Sequence, residues 1–279
     1  MDQDWECLPY HPPLDWEGLL NFFAPRAIPG VESISEGRLR RCFRQENRWG
    51  VIDLSLAEQP GTIQIRAWNH APDLNLVRRV LDLDHQPSRL AALFQSDDIL
   101  GPLWARWPGV RLPGAWDPFE MGVRAILGQQ ISVKAAHTLA ARLVARWGQK
   151  VSTPWPGLTH LFPLPEDLAG LQTDDLANLG LPNKRAETLR QFALWSCRPI
   201  TDRPPLGSLP GIGPWTENYL KMRGQSYQDA FPAGDLGIQK ALGIQNRSPA
   251  AAAREAETIS QRWRPYRAYA VFLLWRSLG

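Results

Sequence analysis

Two short segments of this 279-residue chain carry residue types whose spacing can do chemistry. The first is Leu209-Pro210-Gly211-Ile212-Gly213-Pro214-Trp215-Thr216. Two glycines flanking one apolar residue let the backbone turn tightly. They also leave N–H groups exposed where a helix is expected to begin near Thr216, and a helix N-terminus favours an anion. Gly211 and Gly213, just before the helix start near Thr216, can therefore grip a phosphate, although Gly-x-Gly turns equally serve as plain helix–helix connections. The second segment, Phe231-Pro232-Ala233-Gly234-Asp235-Leu236, follows about twenty residues on. Asp235 stands where a loop gives way to a helix, and on local sequence alone an ordinary N-cap is the better reading. In a water-poor pocket such a carboxylate could instead stabilise a developing cation or orient a water. Trp215 and Tyr219 lie one helical turn apart and so share a face, while Trp275 comes from the C-terminal helix. Electron-rich rings attract a cationic group by roughly 0.5–2 kcal/mol. Taken singly, each of these aromatics reads first as core.

The elements that must position these residues divide the chain near residue 88. Residues 1–88 mix short strands with at least one helix: Arg38 to Arg44, Gly50 to Leu56 and Thr62 to Trp68 alternate apolar and polar, and Leu74 to Leu83 reads as an amphipathic helix. This is expected to be a small α+β domain whose first role is scaffolding. Residues 89–279 read as all-helical, with no convincing strand. Asp117-Pro118-Phe119-Glu120 has the cap, the first-turn proline and the glutamate of a capping box. A break at Gly128-Gln129-Gln130-Ile131 leads to Ser132, the expected cap of a second helix that runs to Gly148. Further helices are expected at Thr173–Leu179, Lys184–Ser196, Thr216–Arg223, Leu236–Leu242, Ala250–Arg262 and Pro265–Leu278.

Composition narrows the chemistry. A formal charge of +3, with Arg38, Arg40, Arg41, Arg44 and Arg48 in one early cluster, permits a phosphate-bearing partner without demanding one. Cys7, Cys42 and Cys197 are far apart and form no Cys/His group, so neither zinc nor an iron–sulfur cluster is suggested. The N-terminal residues lack the pattern of a signal peptide, and the longest apolar run, Ala268 to Trp275, is too short to span a bilayer. A soluble protein of the bacterial cytosol, with no membrane partner, is expected. Neither the length nor the cysteines suggest a fused methyl-accepting or transcription-activating domain.

The hairpin string, the Phe-Pro-x-x-Asp arrangement, Pro108 to Gly114, Gly122 to Ser132 and Arg264 to Ala270 together resemble the helix-hairpin-helix DNA glycosylase superfamily, specifically its alkylpurine (3-methyladenine glycosylase II) branch, over nearly the whole chain. The resemblance implies an α+β fold: a TATA-binding-protein-like N-terminal domain, then an all-α helix-hairpin-helix body. It implies a monomeric, monofunctional glycosylase acting in base excision repair on double-stranded DNA containing damaged bases, with no obligate protein partner. By position Asp235 would be the catalytic carboxylate, and Trp215, Tyr219, Trp275, Phe22 and Gln129 would line the base pocket. Gly211, Gly213, Thr216 and Gln130 would contact DNA, Gln130 standing where the family places a wedge that is elsewhere a Leu. No cofactor is implied for catalysis. The carbonyls of Gly207, Leu209 and Ile212 would hold a structural Na or K ion at the hairpin. Gly237 replaces a larger apolar residue beside Asp235, which implies a wider pocket.

Two other readings remain at this stage. An 8-oxoguanine-type glycosylase/lyase shares the hairpin and the Asp but needs a Lys nucleophile; its position after the glycines holds Trp215, and Lys221 lies further along the helix. A non-catalytic DNA-binding module would use the hairpin alone and gain nothing from a carboxylate near polyanionic DNA. Asp229, the rival carboxylate, precedes the loop and matches no catalytic position of the family.

Overall fold

The computed structural model describes residues 5–279; residues 1–4, part of the segment read above as lacking a targeting signal, lie outside that range. It contains two compact units, each assembled from separated stretches of chain.

The first unit comprises residues 5–9, 20–77 and 116–212. Its sheet has five antiparallel strands, β1 (Glu6–Pro9), β2 (Glu32–Ser35), β3 (Arg38–Gln45), β4 (Arg48–Leu56) and β5 (Thr62–Trp68), in the order β1-β5-β4-β3-β2. The three long strands are the ones whose alternation is legible. The edge strands β1 and β2, four residues each, are too short to show a period. Leu39, Leu54 and Ile65 pair across β3, β4 and β5 and are buried, which fixes the register. One residue on, the row Arg40–Asp53–Arg66 turns to the other face. There Arg38 and Arg40 pair with the buried Asp53 at 2.9 and 3.2 Å.

The early arginine cluster is therefore largely engaged inside the fold. Arg41 is buried and paired with Glu32 and Glu120, and Arg124 bridges the same two carboxylates. Although burial opposes ionisation of Glu32, Arg124 and Arg41 overcome it and hold its pKa down to about 2. This network corrects one expectation. Asp117 does cap the helix Pro118–Leu127, accepting from the Glu120 N–H at 2.7 Å, but the Glu120 carboxylate goes to Arg41 and Arg124 rather than completing a capping box. A buried guanidinium needs a carboxylate more than an exposed N–H does. Ser132 caps the helix Val133–Trp147 as expected, 3.2 Å from the Ala135 N–H. Ile28 and Val31 join Val123, Ile126, Leu143, Leu189 and Phe192 in one apolar core. The all-helical expectation beyond residue 88 fails in one place: Gln149–Lys150 and His160–Leu161 form a two-residue antiparallel ribbon, again below the length at which a period can be read.

The second unit comprises Tyr10–Leu19, Arg78–Ala115 and Gly213–Gly279. The helices Pro214–Gly224, Leu236–Ala241, Pro249–Ser260 and Arg267–Arg276 lie close to their expected spans. Every residue from Ala268 to Leu274 is buried, so this last helix is apolar on all sides. At its start Arg267 meets Asp229 at 2.7 Å, and Arg264 meets the same carboxylate at 2.7 Å. Among the described residues no helix is long and apolar enough to cross a membrane.

Candidate active site

Asp235 is the N-cap of the helix Leu236–Ala241: its Oδ1 accepts the Ile238 N–H at 3.0 Å. The carboxylate does more than cap. Trp275 Nε1 donates to Oδ1 at 2.8 Å and Trp215 Nε1 donates to Oδ2 at 2.9 Å. A carboxylate has about four acceptor positions, so three N–H groups leave roughly one lone pair, on Oδ2. The side chain is half-buried, with the chain turning past it at exposed Gly234.

The three aromatic residues singled out in the sequence converge here. Trp215 and Tyr219 stack with ring centroids 5.1 Å apart and planes 14° from parallel, as their spacing requires. Tyr219 lies 6.3 Å from the Trp275 ring, and its hydroxyl accepts from Arg223 at 3.3 Å. Arg223 is itself buried and donates to the Gly114 carbonyl at 3.1 Å, which anchors the C-terminal end of the helix Pro214–Gly224. The result is an electron-rich wall beside a single anionic group.

The hairpin has the tight turn that its glycines imply. Gly211 sits at φ +81°, and a Cβ there would fall 2.1 Å from Thr188 Oγ1, so both backbone and packing demand glycine. The Ile212 N–H closes the turn on the Leu209 carbonyl at 3.1 Å. Gly213, at φ −107°, needs no glycine for its backbone, yet a Cβ would meet nothing within 4 Å; the bare N-cap leaves room for a ligand to approach the first turn of the helix. Thr216 is buried, so its side chain does not face solvent. Of the three carbonyls implied as cation ligands, that of Leu209 already accepts one N–H and retains a second lone pair, which is compatible with a hard monovalent ion.

Gln129 and Gln130 occupy the turn between the helices Pro118–Leu127 and Val133–Trp147. Gln129 Nε2 donates to the Gly211 carbonyl at 2.9 Å, tying this turn to the hairpin. Gln130 is exposed and left-handed, at φ +56°. Phe22 packs edge-on to Phe23 at 5.8 Å, and the Arg26 guanidinium lies 4.0 Å from its ring centre.

One sequence-level expectation needs revision. Gly237 does not open extra room: a Cβ there would stand 3.0 Å from Asp235 Oδ1 and 3.0 Å from Trp275 Cδ1, so the indole already fills the space. Asp229, already discounted in the sequence because it precedes the loop, is engaged by Arg264 and Arg267. No sequence signal connects Gly237 with Trp275, because they are brought together only by packing of the last helix. The cluster of half-buried Asp82 with buried His85, Arg111 and Tyr269 is likewise invisible in the sequence.

Comparison with known proteins places the chain in a family. A family model described as HhH-GPD superfamily base excision DNA repair protein matches residues 123–265, and one described as AlkA N-terminal domain matches residues 7–117. The chain belongs to the HhH-GPD superfamily of base excision DNA repair proteins, with an AlkA-type N-terminal domain. It is 33% identical to DNA-3-methyladenine glycosylase 2 of Escherichia coli, covering 98% of this chain and 97% of that one. It is 37% identical to the probable bifunctional transcriptional activator/DNA repair enzyme AlkA of Mycobacterium tuberculosis, covering 97% of this chain but only 56% of that protein. The chain thus spans little more than half the length of this relative. Among solved structures, a 3-methyladenine DNA-glycosylase from Archaeoglobus fulgidus superposes with a TM-score of 0.81 at 25% identity, over 97% of both chains.

Proposed function

We propose that the chain is a monofunctional DNA glycosylase that excises alkylated purines of the 3-methyladenine type from duplex DNA, leaving an abasic site. The observation that carries this reading is the constellation at Asp235: one carboxylate, held by two indole N–H groups, beside a stacked Trp215–Tyr219 pair. An enzyme acting on a base in a duplex must rotate it out of the stack and hold it against aromatic faces. When the bond from the base nitrogen to C1′ lengthens, positive charge builds on the deoxyribose, and the Asp235 carboxylate stabilises that oxocarbenium-like state or orients the water that adds to C1′. The electron pair leaves with the base. An alkylated purine already carries positive charge and departs neutral, so no strong general acid is needed.

In this reading Gly211 and Gly213 present the hairpin to a DNA phosphate, with Gln130 as the wedge. The carbonyls of Gly207, Leu209 and Ile212 would hold a Na or K ion that adds positive charge at that phosphate. Phe22, Gln129 and Thr216 enter on the resemblance alone. Duplex DNA as partner, monomeric action and a cytosolic location belong to the same proposal.

The decisive experiment is single-turnover base release from a duplex bearing one hypoxanthine or N-methylated purine, for wild type and Asp235→Asn, with and without alkali before the gel. Strand cleavage only after alkali, lost in the variant, is the expected result. Cleavage without alkali would establish a lyase, and no release from any lesion would leave a binding module.

A further inference from the structure

The feature least explained by the proposed reaction is the glycine two residues after Asp235. Gly237 lies in the first turn of the helix Leu236–Ala241, where a glycine costs about 1 kcal/mol relative to alanine. Its φ does not lie in the left-handed region that would demand glycine. What favours it is space: a Cβ would stand 3.0 Å from Asp235 Oδ1, 3.0 Å from Trp275 Cδ1 and 3.2 Å from Trp275 Nε1, so those side chains would have to give by a few tenths of an ångström. Those are the two partners of one hydrogen bond, and any side chain at 237 would press against both.

We propose that Trp275 is a positioning residue for Asp235, acting through its indole N–H, and that Gly237 is the residue that admits it. The proposal rests on the reading of Asp235 as the reacting carboxylate. A capping Asp alone is fixed at one oxygen, by the Ile238 N–H at 3.0 Å, and its carboxylate plane can still turn. Trp275 adds a donor to that same oxygen at 2.8 Å, and Trp215 fixes the other at 2.9 Å, so the plane is set at both ends. Indole N–H groups donate only and do not titrate. They hold the carboxylate as an acceptor, and the remaining lone pair on Oδ2 is left for the sugar or the water. The aromatic body of Trp275, edge-on to Phe272 at 5.3 Å, is braced by its own helix, so the N–H reaches Asp235 from a rigid support. Trp275 thus has a task separate from presenting a ring to the base, and the two can be separated by removing the N–H alone.

The test uses the full chain and the variants Trp275→Phe, which keeps a ring without the N–H, Gly237→Ala, and the two combined. The indole 15N–1H resonance of Trp275, assigned by its loss in Trp275→Phe, is expected to shift in Asp235→Asn and in Gly237→Ala. Each single variant is expected to lower the single-turnover rate of base release by roughly tenfold or more, the usual effect of losing a hydrogen bond to a charged group. Affinity for an undamaged duplex should stay within about twofold, because the phosphate contacts are untouched. The double variant should be no slower than the slower single variant, since both changes remove the same bond. An indole resonance indifferent to Asp235→Asn, wild-type rates in both single variants, or multiplicative losses in the double variant would each overturn the proposal. Wild-type protein that releases no base would instead sink the glycosylase reading, with the resonance still reporting whether the bond forms.

Discussion

At Asp235 the cap of a helix and the candidate reactive group are one residue, which separates its effects on stability from those on chemistry. Asparagine caps as well as aspartate, whereas alanine forfeits about 1 kcal/mol at such a position. Asp235→Asn keeps the cap but sets its amide NH2 against one indole N–H, so it should unfold somewhat below the wild-type temperature and above Asp235→Ala, with base release lost in both; thermal unfolding followed by circular dichroism distinguishes them. Gln130 poses the converse case. Its left-handed backbone costs a non-glycine residue roughly 1–2 kcal/mol, relieved in glycine. Gln130→Gly is expected to leave stability unchanged or raised while weakening binding to a lesion duplex severalfold. Unaltered affinity in a gel-shift titration would remove Gln130 from the interface. Asp235 could be singled out in the sequence, but only as a cap on local grounds. Its engagement at both oxygens depends on Trp215 and Trp275, twenty and forty residues away, whose indole directions no spacing rule supplies.

The hairpin shows which features of an element are local. Its turn follows from Gly211, and its helix start from Gly213 and Pro214, all adjacent in sequence. Thr188 beneath Gly211 is not adjacent, and it turns a preference for glycine into a requirement. Gly211→Ala should cost at least the roughly 1–2 kcal/mol of a left-handed alanine, plus displacement of Thr188. It should also reduce affinity for undamaged and lesion-bearing duplexes alike, because a phosphate contact carries no base information. Fluorescence anisotropy with both duplexes reads this out, and a loss confined to the lesion duplex would contradict the phosphate-grip role. The capping box at Asp117 fails for a related reason: Glu120 has a partner 79 residues away that local rules cannot see.

In the second unit a buried cluster should make stability depend on pH in an unusual direction. Burial pushes Asp82 up to about 7, only partly opposed by the Leu112 N–H at 3.0 Å and the Tyr269 hydroxyl at 2.9 Å. A native value above the unfolded one means that the folded state binds the proton more tightly, so this contribution is fully present below about pH 4 and is lost as pH rises through about 7. His85 works oppositely: burial, aided by Arg111, lowers it to about 3, so its contribution is present above about 6.5 and lost as pH falls toward 3. In wild type the two offset each other between those limits. Asp82→Asn keeps an acceptor for both donors but cannot titrate. The wild-type-minus-variant difference in unfolding free energy should therefore increase by up to about 4 kcal/mol from pH 8 to pH 4. Urea unfolding across that range measures it, and a flat difference would show that Asp82 does not carry the proton.

Much of the architecture is written locally. The alternation of three strands, the caps at Asp117 and Ser132, the glycines of the hairpin and the aromatic pair one turn apart each depend on residues within a few positions of one another. Backbone sterics, capping and periodicity therefore suffice to read them. What only the tertiary structure decided are the pairings across long separations. They include the burial of Arg41 on Glu32 and Glu120, the engagement of Asp229 by Arg264 and Arg267, and the two compact units woven from separated stretches of chain. The same holds for the approach of Trp275 to Asp235 through the space that Gly237 leaves. A side chain's partner is set by which helix packs beside it and by the need to pair every buried charge and N–H, and these conditions are satisfied by the folded chain as a whole.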